Sequence, residues 1–221
     1  MADSHSSDSL HTWAQAMENQ MESQREALRA RDPVQIAFDG GAKWEKTGSD
    51  AGTLSLTFIN TPLVVTVPDY KVFSADGNEA PVMTQGLLTA YLITAKGIER
   101  ANQWIVFREL PNGLFYHQAF DGYTGKVLAR ALGEDLGAFK RGAKAVGGFS
   151  LSGFGDAAFE FRALPRLWLA IAYWLGDAED GFPPRAQVLF DRAASSYLIT
   201  DGLAIVGSHL VRQIMRAAQT Q

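Results

Sequence analysis

Ala157-Ala-Phe-Glu-Phe-Arg162, Leu167-Trp-Leu-Ala-Ile-Ala-Tyr-Trp174 and Arg185-Ala-Gln-Val-Leu-Phe190 are the stretches whose reading decides the fold. The first alternates apolar and polar side chains, the pattern of a strand with one wet face. The second is apolar on both faces, as a strand central to a covered sheet must be. Ala163-Leu-Pro-Arg166 supplies the turn between them. Three strands joined in series make an antiparallel meander, and helical segments on either side of it give an α+β class.

Working outward, Leu54 to Ile59 alternates, Asn60-Thr61-Pro62 turns, and Leu63 to Val67 returns, which predicts a hairpin. Trp104-Ile-Val-Phe-Arg-Glu-Leu110, Pro111-Asn112-Gly113 and Leu114-Phe-Tyr-His-Gln-Ala-Phe120 read as a second hairpin. A three-residue loop there sets Arg108 opposite Tyr116, and a two-residue loop sets it opposite His117. In either register an arginine enters an apolar face, where it needs a partner such as Glu109 or Asp156. Helices are expected over about 81–96, closed by Gly97, over about 135–146, and from Thr200 onward with Leu203, Val206, Leu210 and Ile214 on one side. Residues 1–8 are a polar lead-in. A helix then spans about 9–31, with Leu10, Trp13, Met17, Met21 and Leu28 near one face, until Asp32-Pro33 ends it. The expected organisation is an N-terminal arm, residues 1–31, followed by one α+β domain, residues 32–221. The arm's narrow apolar stripe makes it separable from the fold.

Composition removes several function classes. The 221 residues hold 20 Lys+Arg against 24 Asp+Glu, a net charge of −4, and no cysteine. Disulfides, thiolate metal sites and cysteine nucleophiles are therefore excluded. Nucleic acid is not an expected partner of an acidic chain, because its affinity rests on neutralised phosphates. The longest apolar run, Leu167 to Leu175, falls far short of the roughly 20 residues that span a bilayer. The polar, acidic start carries no secretory or transit signal, so a cytoplasmic protein with no membrane partner is expected.

Chemistry-bearing motifs are sparse. The histidines at 5, 11, 117 and 209 contain no i, i+4 pair, so no tightly bound transition metal is expected. His209 shares a helix side with Arg212 and Arg216 and reads as solvated. Gly153-Phe-Gly155-Asp-Ala-Ala158 has the spacing of a phosphate loop, but a strand pattern follows it where a helix is required. Pairing of the first two meander strands brings Asp156 to the edge that carries Asp177, Glu179 and Asp180. Clustered carboxylates there suit Mg²⁺ or Ca²⁺, though the EF-hand arrangement is missing. At the opposite edge Arg166 nears Asp191, an ion-pair pattern. Lys126, Arg130, Lys140, Arg141 and Lys144 form a basic face against Glu134 and Asp135.

Read in order, Trp104 to Tyr116, Gly155-Asp-Ala-Ala158, Leu164-Pro-Arg166, Trp174-x-Gly-Asp177, Leu189-Phe-Asp191 and Ser196-Tyr-Leu198 resemble the bacterial and archaeal family called domain of unknown function 3786. The resemblance runs from about Pro33 to Arg212 and implies no established activity. Many of its members come from anaerobes, and some relatives carry a cysteine-rich iron–sulfur segment that this cysteine-free chain does not have. Where relatives tend to read Gly-Asp-Glu-Glu-Phe-Pro, this chain reads a longer Gly176-Asp-Ala-Glu-Asp-Gly-Phe-Pro183.

Three function classes follow as expectations. The first is an accessory protein that binds a small anionic ligand or a metal-containing cofactor in anaerobic metabolism. Its arginines, Arg108 and Arg166, would hold carboxylates or phosphates, beside the aromatic and polar residues Tyr116, His117, Trp174 and Asp191. The second is a carboxylate-based enzyme, with or without Mg²⁺, drawing on Glu109, Asp156, Asp177 and Glu179. The third is a protein-interaction module, a homo-oligomer formed through Trp13, Met17 and Met21.

Overall fold

The computed structural model describes residues 18–177 and 179–219, which fold into two compact units. The expectations placed on His5, Leu10, His11, Trp13 and Met17 lie outside the described residues. The first unit runs to Leu56 and takes up again over Pro62–Ala95, and the second comprises Thr57–Thr61 and Lys96–Gln221. Both are α+β, each with an antiparallel sheet, as the sequence pattern implies. Among the described residues no helix is long and apolar enough to cross a membrane.

In the first unit, helix α1 (18–29) is followed by α2 (Pro33–Gly40), the strands β1 (Lys43–Lys46), β2 (Gly52–Phe58), β3 (Thr61–Val67) and β4 (Val72–Ser74), and helix α3 (Val82–Thr94). Strand order is β1-β2-β3-β4. The alternation read in the sequence is what buries Leu54, Leu56, Leu63 and Val65. The turn between β2 and β3 is centred on Ile59 and Asn60 (φ 40° and 61°), one residue earlier than expected. Two left-handed residues match the twist of a tight hairpin. Asp32 starts α2 by accepting from the Val34 N–H at 3.0 Å, and Gly41 ends it at φ 64°.

The described turns of the N-terminal arm belong to the core of this unit. Leu28 is fully buried and Met21 nearly so, with Met21 packed over Gly86. Arg25 donates to Gln85 at 2.9 Å, Thr89 to Gln24 at 2.8 Å, and the Tyr70 hydroxyl to the Leu28 carbonyl at 3.2 Å.

The second unit contains β5 (Trp104–Val106), α4 (Gly113–Tyr123), α5 (Gly125–Leu132), α6 (Leu136–Ala145), β6 (Phe149–Leu151), β7 (Ala157–Leu164), β8 (Leu167–Trp174), β9 (Arg185–Asp191) and α7 (Thr200–Gln219). Its sheet has the order β5-β9-β8-β7-β6. The meander forms as read, and β8 is central, with Leu169 to Tyr173 buried on both faces. Phe139 of α6 stacks on Tyr173 at 4.9 Å and meets Phe159 edge-on at 5.7 Å.

The second hairpin does not form. β5 ends at Val106 and pairs with β9, residues 107–109 make a 3-10 turn, and the expected return strand is helix α4. Asn112 does take the left-handed turn conformation (φ 61°), but Gly113 then opens the helix with its Cα pressed against the Phe107 carbonyl. Gly113 and Phe120 are the buried positions, two helical turns apart, and Phe120 stacks on Phe107 at 4.1 Å. Burying one large ring at helical spacing outweighs the β-prone composition of Leu114-Phe-Tyr116, whose side chains stay exposed. Arg108 is consequently exposed in the 3-10 turn and enters no apolar sheet face.

Candidate functional site: a cation-lined cleft beside β9

β5 pairs only with residues 189–191 of β9, so the edge of β9 at Arg185 to Val188 faces no strand on that side. Helix α5 docks there. A Cβ on Gly125 would lie 2.1 Å from the Ala186 carbonyl oxygen, so only glycine lets the helix come this close. The resulting cleft has a volume of about 1040 Å³. Its apolar wall is Trp174, Leu175, Phe182, Pro183 and Pro184, and its polar residues are Asp121, Lys126, Arg130, Asp177, Arg185 and Gln187. A second cavity of about 150 Å³, lined by Val106, Phe107, Arg108, His117, Asp121 and Gln187, shares Asp121 and Gln187 with the first.

Cross-strand pairing places Arg185 directly opposite Trp174, and its guanidinium lies 4.1 Å from the centroid of the indole ring. That stack orients the cation without neutralising it. Most of the arginines elsewhere are spoken for. Arg25, Arg29, Arg31, Arg100, Arg141 and Arg166 each meet a carboxylate, while Arg162 and Arg192 donate to oxygens of Pro165 and Gln103. The side chains of Arg108, Arg130 and Arg185, like that of Lys126, make no hydrogen bond or ion pair with any described residue. Burial pushes the Asp121 carboxyl above the usual carboxylate range, while the charges of His117, Lys126 and Arg108 pull the other way.

The expected site residues separate into two groups. Arg108 and His117 line the smaller cavity, and Trp174 and Asp177 the larger. The others do not. Glu109 accepts from the Val106 N–H at 2.9 Å and shapes the 3-10 turn. Asp156 accepts from the Leu175 N–H at 2.8 Å, and Glu134 takes the Gly176 N–H. Asp177 accepts from the N–H groups of Glu179 and Asp180 at 3.0 and 3.1 Å, and exchanges backbone hydrogen bonds with Phe182. The acidic edge is thus a set of backbone anchors for the 175–184 loop. Among the described residues no group of three or more His, Asp or Glu could hold a metal ion. Tyr116 is exposed on α4, away from both cavities.

At the far end of the sheet, Arg166 reaches Glu99 at 3.6 Å, and the cation beside buried Asp191 is Arg100. Arg100 also binds Glu160 at 2.5 Å and lies over the rings of Trp104 and Trp168. Asp191 caps the next turn through the Ala193 N–H. His209 is half-buried rather than solvated, 5.1 Å from the Phe58 ring and 2.8 Å from the Gln213 side chain.

Sequence reasoning did not select Asp121, Arg185 or Gln187. Lys126 and Arg130 were visible as part of a basic run, and their i, i+4 spacing is the signal that sets both on one face of α5. Asp121 carried the same signal relative to His117, hidden because that stretch read as a strand.

Fold and cleft together define a cysteine-free α+β protein with two antiparallel sheets and a cation-lined cleft in its second unit. No curated protein and no solved structure matches the chain. The family model described as Domain of unknown function (DUF3786) matches residues 32–213, and the chain belongs to that family.

Proposed function

We propose that the second unit binds a small organic anion in the cleft between α5 and the free edge of β9. One observation carries this reading: Arg130 and Arg185, with Lys126, line this cleft and Arg108 lines the small cavity beside it, and none of these side chains has a protein carboxylate or carbonyl partner among the described residues. Guanidinium groups hold carboxylate and phosphate through paired N–H donors, and the wall of Trp174, Phe182, Pro183 and Pro184 suits an apolar body. A metal-containing cofactor with carboxylate side chains would meet the same cations. The carboxylate-enzyme reading gains less, since Glu109, Asp156 and Asp177 are each committed to backbone N–H groups. The oligomerisation reading loses Met21, which is buried.

Thermal unfolding of the full chain against inorganic phosphate, phenyl phosphate and straight-chain carboxylates tests the proposal. A bound anion at 100 times its Kd adds about 2.7 kcal/mol of stability. Arg130→Gln with Arg185→Gln should weaken that binding at least tenfold while leaving the unliganded protein folded. Equal binding by the double variant, or no binding by the wild type, would overturn it.

A further inference from the structure

The two residues shared by the cavities form a joint that is chemically unlike the rest of the cleft. Asp121 and Gln187 are both half-buried, both belong to the two cavities at once, and neither side chain makes a hydrogen bond or ion pair with any described residue. Their polar atoms open onto the cavities, where a ligand hydroxyl or amine can take the place of water. Across the smaller cavity, His117 Nδ1 lies 2.7 Å from the Leu114 carbonyl. A carbonyl can only accept, so Nδ1 carries the hydrogen, and Nε2 is the ring's acceptor whenever the imidazole is uncharged. The joint therefore offers acceptors at Asp121, Gln187 and His117. The larger cleft offers donors at Lys126, Arg130 and Arg185.

We infer that the ligand is bifunctional: besides its anionic group it carries a hydroxyl or amine that donates to Asp121 and Gln187, with His117 Nε2 as a further acceptor. This rests on the proposed anion binding and adds the ligand class, a hydroxy or amino acid or the corresponding phosphate. A plain anion fills only the cleft and leaves the joint to water. A second anion in place of the donor meets the Asp121 carboxyl and is rejected.

Isothermal titration of the full chain with carboxylates of four to eight carbons, each beside its ω-hydroxy and ω-amino counterpart, separates the two ideas. At the chain length that spans the joint, the substituted member should bind at least tenfold more tightly than its parent. Asp121→Ala should erase that preference while the parent binds at least as well as before. Asp121→Asn keeps an acceptor and the shape, so it should retain preference for the hydroxyl while losing preference for the amine. Parents that bind with no substituted member preferred at any length would overturn the inference and leave anion binding intact. A preference that survives in Asp121→Ala combined with Gln187→Val would overturn it as well. If the full chain binds neither carboxylates nor phosphates, both readings fall together.

Discussion

Two arginines eight residues apart show how position decides what a charge does. Arg100 lies between two indole rings and neutralises Glu160 and Asp191, of which Asp191 is only 2% exposed. Arg108 is exposed in a 3-10 turn with no protein partner. Arg100→Met strands a buried carboxylate and should cost about 3 kcal/mol or more in chemical denaturation. Arg108→Met should change stability by less than about 0.5 kcal/mol in the same measurement. A third residue sets an acid limit. Burial, followed by the charges of Arg212 and Arg216, holds the His209 imidazole below its ordinary 6.5. The unfolded chain therefore takes up a proton that the folded chain resists. Stability is unaffected by this group above pH 6.5 and falls as pH drops below it toward the folded value. His209→Gln should flatten that part of a stability-versus-pH curve.

At the scale of elements, the glycine that opens α5 fixes the cleft. Gly125→Ala forces a Cβ against the Ala186 carbonyl, so helix and strand must part. The expected loss is about 1–3 kcal/mol on thermal unfolding, with weaker anion binding even though no lining side chain has changed. α1 makes the opposite point about the arm. Its stripe looked narrow in the sequence, yet Leu28 is fully buried. Leu28→Ala should cost about 2–5 kcal/mol, and loss of residues 1–31 should therefore destabilise the first unit; an unchanged unfolding midpoint would show the arm to be dispensable. Elements whose burial has one period were legible: β7, β8, β9 and α7 fall within a residue or two of expectation. α4 was not legible, because Leu114-Phe-Tyr116 is β-prone locally and only the distant partners Phe107 and Phe190 reveal which spacing is buried. The site suffered for the same reason. Once α4 read as a strand, His117 and Asp121 no longer shared a face, and Arg185 looked like any strand-end charge.

Over the whole molecule the charge is −4, yet Arg108, Lys126, Arg130 and Arg185 face only Asp121 and Asp177 across the joined cavities. An anion approaching an acidic protein is drawn to a concave place where the local sign is reversed. Because the Debye length shrinks from about 10 Å at 0.1 M salt to about 3 Å at 1 M, raising salt over that range should weaken anion binding severalfold. An affinity indifferent to salt would indicate recognition through the apolar wall instead. The path of the chain has a separate consequence. It leaves the first unit after Leu56, contributes residues 57–61 to the second, and re-enters the first at Pro62. Neither unit is therefore one uninterrupted stretch of coding sequence. A single recombination crossover cannot lift either out whole: a cassette of residues 96–221 carries every residue of the cleft but leaves behind residues 57–61, whose Ile59 N–H donates to the Ala163 carbonyl at 2.9 Å.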